Sequence, residues 1–146
     1  MTLICGHVAI YVHDLRAAEE FYRRAFGMGL LFRETRREGD DWYALRPHVD
    51  WDGAEARGIQ IGMVALRRDD FVLALFRGAP QEGTVVELGL AMSSSELDEL
   101  QARLPDNVEG SSTALQFTDP FGFRWNVHAN EVRFRSSGDI AGRWLD

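Results

Sequence analysis

The chain has 146 residues, 45% of them hydrophobic and 27% charged, with a formal net charge of −7. That length suits one compact domain or two small modules sharing a core, and the composition excludes a disordered chain. The acidic balance argues against nonspecific binding to nucleic acid or anionic membranes, and the apolar runs are too short to span a bilayer.

The first strand is expected over Leu3–Val12. Its odd residues Cys5, His7 and Ala9 face one way, and Ile4, Val8, Ile10 and Val12 face the bed of a helix. Asp14 is an N-cap, and Ala17, Ala18, Phe21, Tyr22, Ala25 and Phe26 form the apolar stripe of the helix that follows, with Phe21-Tyr22 in the core. Gly27 and Gly29 stop that helix. Leu30–Arg33 and Trp42–Leu45 read as a hairpin across the charged turn 36–41. The stretch from Arg46 to Gly58, with Pro47, His48 and Trp51, reads as a long loop. Ile59–Leu66 and Phe71–Phe76 are the next strands, followed by a linker over 77–84.

A second unit starts at Val85. Its strand runs to Met92, and a serine cap leads into a helix from Glu96 to about Arg103 with Leu97, Leu100 and Leu104 on its inner stripe. Ser95 with Asp98 resembles a capping box, and Pro105 ends the helix. A strand or turn is expected near Val108. Thr113–Thr118 and Phe123–Val127 flank the turn Asp119-Pro120-Phe121-Gly122. The tail 129–146 is either frayed or an arm that docks on the body. One offset of 80 residues superposes His7 on Glu87, Val12 on Met92 and Asp14 on Ser94, so the chain reads as a duplicated module.

Gly6-His7-Val8-Ala9-Ile10, then Asp14-Leu15 and Phe21-Tyr22, with Asp119-Pro120-Phe121-Gly122 before a closing strand, resembles the vicinal oxygen chelate superfamily of glyoxalases, bleomycin-resistance proteins and extradiol dioxygenases. The resemblance implies an α+β fold of two βαβββ modules whose curled mixed sheets surround a cavity, commonly assembled as a homodimer. Module one would cover about 3–76 and module two about 85–128, within a single domain 1–146. In metal-dependent members the ligands come from four inward strand positions, which here are similar to His7, Ala74, Glu87 and Asn126. Two of these places have lost a strong ligand. A divalent metal ion would rest on His7 and Glu87, with His128 or His48 as substitutes.

From the residues alone, His7 is either a hydrogen-bonded structural histidine or a functional one. Glu87 lies in an apolar strand, where a carboxylate is costly unless it is paired or faces water. It reads as a pocket acid or base that shuttles a proton with His7, or as the salt-bridge partner of Arg124. Arg124 and Asn126 suit a polar or anionic ligand group, and Trp42 and Trp51 offer flat surfaces to an aromatic one, Trp51 as a lid. Trp125 has the opposite parity and points to the helix layer. Cys5 is the sole cysteine and reads as a small buried hydrophobe beside His7. Its solitude, with no signal-peptide pattern, fits a reducing, cytoplasmic setting.

The expected function is metal-independent binding of a small aromatic or cationic molecule, as in resistance proteins. The alternatives are a metal-dependent lyase, isomerase or dioxygenase, and a metal-free proton-transfer enzyme.

Overall fold

A computed structural model describes residues 3–37, 41–78, 82–104, 108–118, 124–132 and 144–145. The turn 119–122, the tip of the first hairpin at 38–40, Pro105 and most of the tail lie outside these residues. The first unit runs β1 (Ile4–Val12), α1 (Leu15–Phe26), β2 (Gly29–Arg36), β3 (Trp42–Leu45), α2 (Trp51–Ala56), β4 (Met63–Arg68) and β5 (Phe71–Arg77). The second runs β6 (Val85–Met92), α3 (Ser94–Arg103), β7 (Glu109–Gly110), β8 (Ala114–Thr118) and β9 (Arg124–Ala129), with β10 (Trp144–Leu145) at the end.

The described strands form one mixed, unclosed sheet in the order β10-β3-β2-β4-β5-β1-β6-β9-β8-β7. Each half opens on a strand that pairs in parallel with the last strand of its own half, β1 with β5 and β6 with β9. The halves meet where β1 pairs antiparallel with β6. On that seam Ala9 is opposite Glu87 and His7 is opposite Gly89, so each rung is the other displaced by the 80-residue offset. The duplication read from the sequence is therefore built into the sheet as a local two-fold axis at the β1–β6 seam.

The helices α1 and α3 pack on one face. Val8, Ile10 and Val12 pack with Leu15, Ala18 and Tyr22 of α1 and with Leu66, Leu73 and Leu75. Leu97 of α3 packs with Leu115, Val127 and Ala129, and Leu90 and Trp125 lean on that cluster. Asp14 accepts a hydrogen bond from the Ala17 amide at 3.0 Å, and Gly27 closes α1 at φ 64°, the left-handed region that glycine enters without strain.

Several expectations are corrected. The inner stripe of α1 is Leu15, Ala18, Glu19 and Tyr22, at helical spacing, while Phe21 and Phe26 are 49% and 54% exposed. Phe21 is therefore outside the core, because the helix is rotated to bury Glu19. The 46–58 segment is not an irregular loop: Asp50 caps α2 by accepting from the Gly53 amide at 2.8 Å, and Ala54 is buried beneath it. The capping box of α3 is Ser93 with Glu96, so the helix starts two residues early. Of the two alternatives for the tail, the described residues Trp144–Leu145 take the docked one: β10 pairs in parallel with β3 and Leu145 is buried.

Candidate functional site

The helix-free face of the sheet carries two rows of side chains across the seam. Ladder pairing links Ala65, Ala74, Ala9 and Glu87 into one row, and His7, Gly89, Asn126 and Gln116 into the other. The two-fold axis maps Glu87 onto His7, Ala9 onto Gly89, Ala74 onto Asn126 and Ala65 onto Gln116. The first unit thus presents methyl groups where the second presents amides. Beyond the alanines, Phe32, Met63, Val72, Trp42 and Phe76 continue the apolar wall.

The polar side chains converge on Glu87. His7 Nε2 lies 3.3 Å from Glu87 Oε1, Asn126 Nδ2 donates to the same oxygen at 3.0 Å, and Arg124 Nε donates to Oε2 at 3.3 Å. Arg124 Nη2 also donates to Gln116 Oε1 at 3.0 Å. His7, Glu87 and Asn126 are all buried. Burial pushes the Glu87 carboxyl up, but the bonds from His7 and Asn126, with the charges of His7 and Arg124, outweigh it and hold the carboxyl below its usual range. An ionised carboxylate only accepts, so the His7 proton on this side sits on Nε2. His128 lies on the same face, its ring centroid 6.2 Å from that of His7. Burial, with the His7 charge, lowers its pKa to about 4 against a smaller raising effect of Glu87, which leaves the imidazole neutral at pH 7.

At Asn126 a polar atom of this cluster has nothing to bond. Asn126 Oδ1 is buried without a hydrogen-bond partner, although its residue is only 7% exposed. A buried acceptor left in that state is costly, and in a native protein it marks a place for a donor.

The donors do not fit a divalent ion. Imidazole, carboxylate and a neutral amide oxygen stand in three of the four expected places, and Ala74 offers a methyl group in the fourth. Arg124 already places a cation against the carboxylate. Among the described residues no three His, Cys, Asp or Glu side chains are grouped to hold a metal, so His128 does not complete the set. His48 is exposed on the segment before α2. Divalent ions need several converging N or O ligands.

The remaining candidates separate. The facing His7–Glu87 pair and the Glu87–Arg124 bridge, alternatives in the sequence, both form. Trp42 belongs to the apolar wall, edge-on to Phe76 at 5.6 Å. Trp51 lies on the helix side of the sheet and is no lid: its Nε1 donates to Glu19 Oε2 at 2.7 Å. Trp125 is on the helix side, as its parity predicts. Cys5 is exposed, not buried. The register shift between Cys5 and His7 pairs Cys5 with Leu90 and His7 with Gly89, consecutive residues of β6 that face opposite sides. Sequence parity is therefore broken at Gly6, and Cys5 leaves the His7 face. A cavity of about 270 Å³ lies elsewhere, at the far edge of the sheet, lined by Leu31, Leu45, Arg46, Pro47, Val49 and Trp144 among others.

What sequence reasoning missed is the Glu19 cluster. Arg33 Nε and Nη2 donate to Glu19 Oε2 and Oε1 at 2.9 and 2.5 Å, Trp51 adds its bond, and Arg23 donates to Oε1 at 3.2 Å. The signal was present: Glu19 lies one helical turn from Leu15 and less than one from Tyr22, on the inner face.

The duplicated, curled α+β sheet is the fold of the vicinal oxygen chelate class. Residues 4–127 match the sequence profile of the Glyoxalase/Bleomycin resistance protein/Dioxygenase superfamily, and the chain belongs to that family, whose curled, unclosed mixed sheet it shares. No curated protein sequence matches it significantly. Among solved structures it is similar to 2,2',3-trihydroxybiphenyl 1,2-dioxygenase from Sphingomonas wittichii, with a TM-score of 0.51 and 19% identity over 86% of this chain; it spans 42% of that enzyme's chain. It is also similar to methylmalonyl-CoA epimerase from Streptomyces coelicolor, with a TM-score of 0.50 and 16% identity over 86% of this chain and 93% of that one. At these identities the likeness is one of fold.

Proposed function

We propose that this protein binds a small molecule without a metal, through the cluster of His7, Glu87, Asn126, Arg124 and His128, in the manner of a resistance or sequestering protein. The single observation that carries this reading is the buried, unpartnered Oδ1 of Asn126 beside an ionised Glu87. Two acceptors side by side suit a ligand with a protonated amine or several N–H or O–H groups. The alanines and aromatic side chains of the first unit, Trp42 included, suit an apolar or aromatic body. The ligand is thus a cationic or donor-rich head on an aromatic frame. The chain is read as one domain, with module one at about 3–76, a linker at 77–84, module two at about 85–128 and the tail at 129–146. It acts as a cytoplasmic homodimer.

A library of cationic and aromatic compounds tests this by melting temperature, because a ligand selective for the native state stabilises it by about 2.7 kcal/mol at one hundred times its Kd. Stabilisation that disappears in Glu87→Gln is the expected result; a library that leaves the wild-type melt unmoved sinks the reading. Elemental mass spectrometry on protein purified without chelators and then dialysed is expected to find only traces of divalent metal. Close to one ion per chain would refute metal independence.

The contact between His7 and Glu87 favours a second reading, metal-free proton transfer. Loss of turnover in both His7→Ala and Glu87→Gln supports it once a substrate is found, and turnover preserved in both rules it out.

A further inference from the structure

The backbone at Gly89 does not require glycine. It sits inside β6, away from the left-handed conformations adopted by Gly27, Gly58 and Gly83. A glycine inside a strand weakens it through backbone entropy and missing packing, so its presence calls for a close approach by something else. Here that something is the ring of His7. A Cβ placed on Gly89 would lie 2.6 Å from His7 Cγ and nearer still to Nδ1 and Cε1, closer than any real methyl contact.

The ladder explains the crowding. His7 is directly opposite Gly89, whereas Glu87 is its diagonal neighbour, two residues along β6. Diagonal pairs are spaced about 7–8 Å apart, so only long side chains meet across them. His7 reaches Glu87 by lying across the rung it shares with Gly89. The two-fold mate of Gly89 is Ala9, opposite the slimmer side chain of Glu87. Only the rung that carries the imidazole has lost its Cβ.

We infer that Gly89 is the positioning residue of this site: the missing side chain at 89 lets the His7 imidazole lie across β6 and meet Glu87. The importance of the site rests on the binding function proposed above, but the positioning is measurable without any ligand.

The test is a cycle of Gly89→Ala and His7→Ala, read by thermal melting and by the NMR resonances of the histidine rings. In the wild-type background Gly89→Ala is expected to lower the melting temperature. In the His7→Ala background, with the ring gone, it should be neutral or stabilising. The second readout is the coupling between His7 and Glu87. Glu87→Gln should shift the ring proton and nitrogen resonances of His7 in the wild type and leave them almost unmoved in Gly89→Ala. The exposed His13 and His48 serve as internal controls that do not move.

The inference is overturned if Gly89→Ala damages the His7→Ala protein as much as the wild type, or if the coupling survives the added methyl. Should Gly89→Ala not fold, the double variant decides: a folded His7→Ala/Gly89→Ala protein supports the inference and an unfolded one overturns it. Absence of any bound ligand in the wild type would break the proposed function while leaving the coupling of the two side chains, and so the positioning role, intact.

Discussion

Among the described residues two carboxylates are buried, and they are held differently. Glu19, beneath α1 in the first unit, is 2% exposed and receives four hydrogen bonds from Arg33, Trp51 and Arg23 at 2.5–3.2 Å. Glu87, on the helix-free face of the second, receives longer bonds of 3.0–3.3 Å, and its neighbour Asn126 keeps an acceptor with no donor. In each case burial acts to raise the carboxyl pKa and the surrounding donors and cations more than reverse it. The first cluster has the geometry of a staple: Arg33 grips both oxygens as a fork and rests 5.6 Å from the Trp51 ring, tying α1, β2 and α2 together. The second is incomplete. A filled cluster gives stability, and at the underfilled one the proposed ligand would supply the missing donor.

The largest expected effect falls on the staple. Glu19→Ala leaves the buried Arg33 charge uncompensated and should cost about 3–5 kcal/mol in urea unfolding, with ligand-induced stabilisation preserved if the protein still folds. A cost below about 1 kcal/mol would erase the contrast between the clusters. Glu87→Gln replaces charge-assisted bonds by neutral ones and should cost less, about 1.5–3 kcal/mol, while abolishing ligand-induced stabilisation. If the two variants change places, with Glu19 carrying binding and Glu87 stability, the assignment of roles is wrong.

Acid titration sharpens the comparison. Glu19 and Glu87 both have folded pKa values below their unfolded ones, so each adds stability that is complete above the unfolded carboxylate pKa and is lost as pH falls through the folded value. His128, buried and neutral, has its pKa lowered from 6.5 to about 4. The unfolded chain binds its proton first, so stability from this group is complete above pH 6.5 and is lost as pH falls towards 4. Equilibrium unfolding of His128→Gln across that window should show a flatter pH dependence than the wild type, with the carboxylate limb below it unchanged. An unaltered slope between pH 6.5 and 4 would remove His128 as its source.

The smallest effect expected is that of Trp51→Phe. It keeps a ring near Arg33 and removes one donor from Glu19, for a cost of about 0.5–1.5 kcal/mol. Ligand binding should not change, because Trp51 lies on the far side of the sheet from Glu87. A loss of affinity would restore the lid that its place in the chain suggested.

Local signals in the chain determined the duplication, the two helices with the capping at Asp14 and most strands, and offered the approach of His7 to Glu87 as one of two pairings. Periodicity, turn residues and caps act over a few residues, so they are readable without a fold. Tertiary structure alone decided the rest. The shift at Gly6 moved Cys5 off the His7 face, and no alternation rule contains a shift fixed by pairing with a strand 80 residues away. The rotation of α1 that buries Glu19 in place of Phe21 depends on Arg33 and Trp51, distant in sequence, arriving beneath the helix. The reason for a glycine at 89 exists only once the imidazole of His7 lies across it.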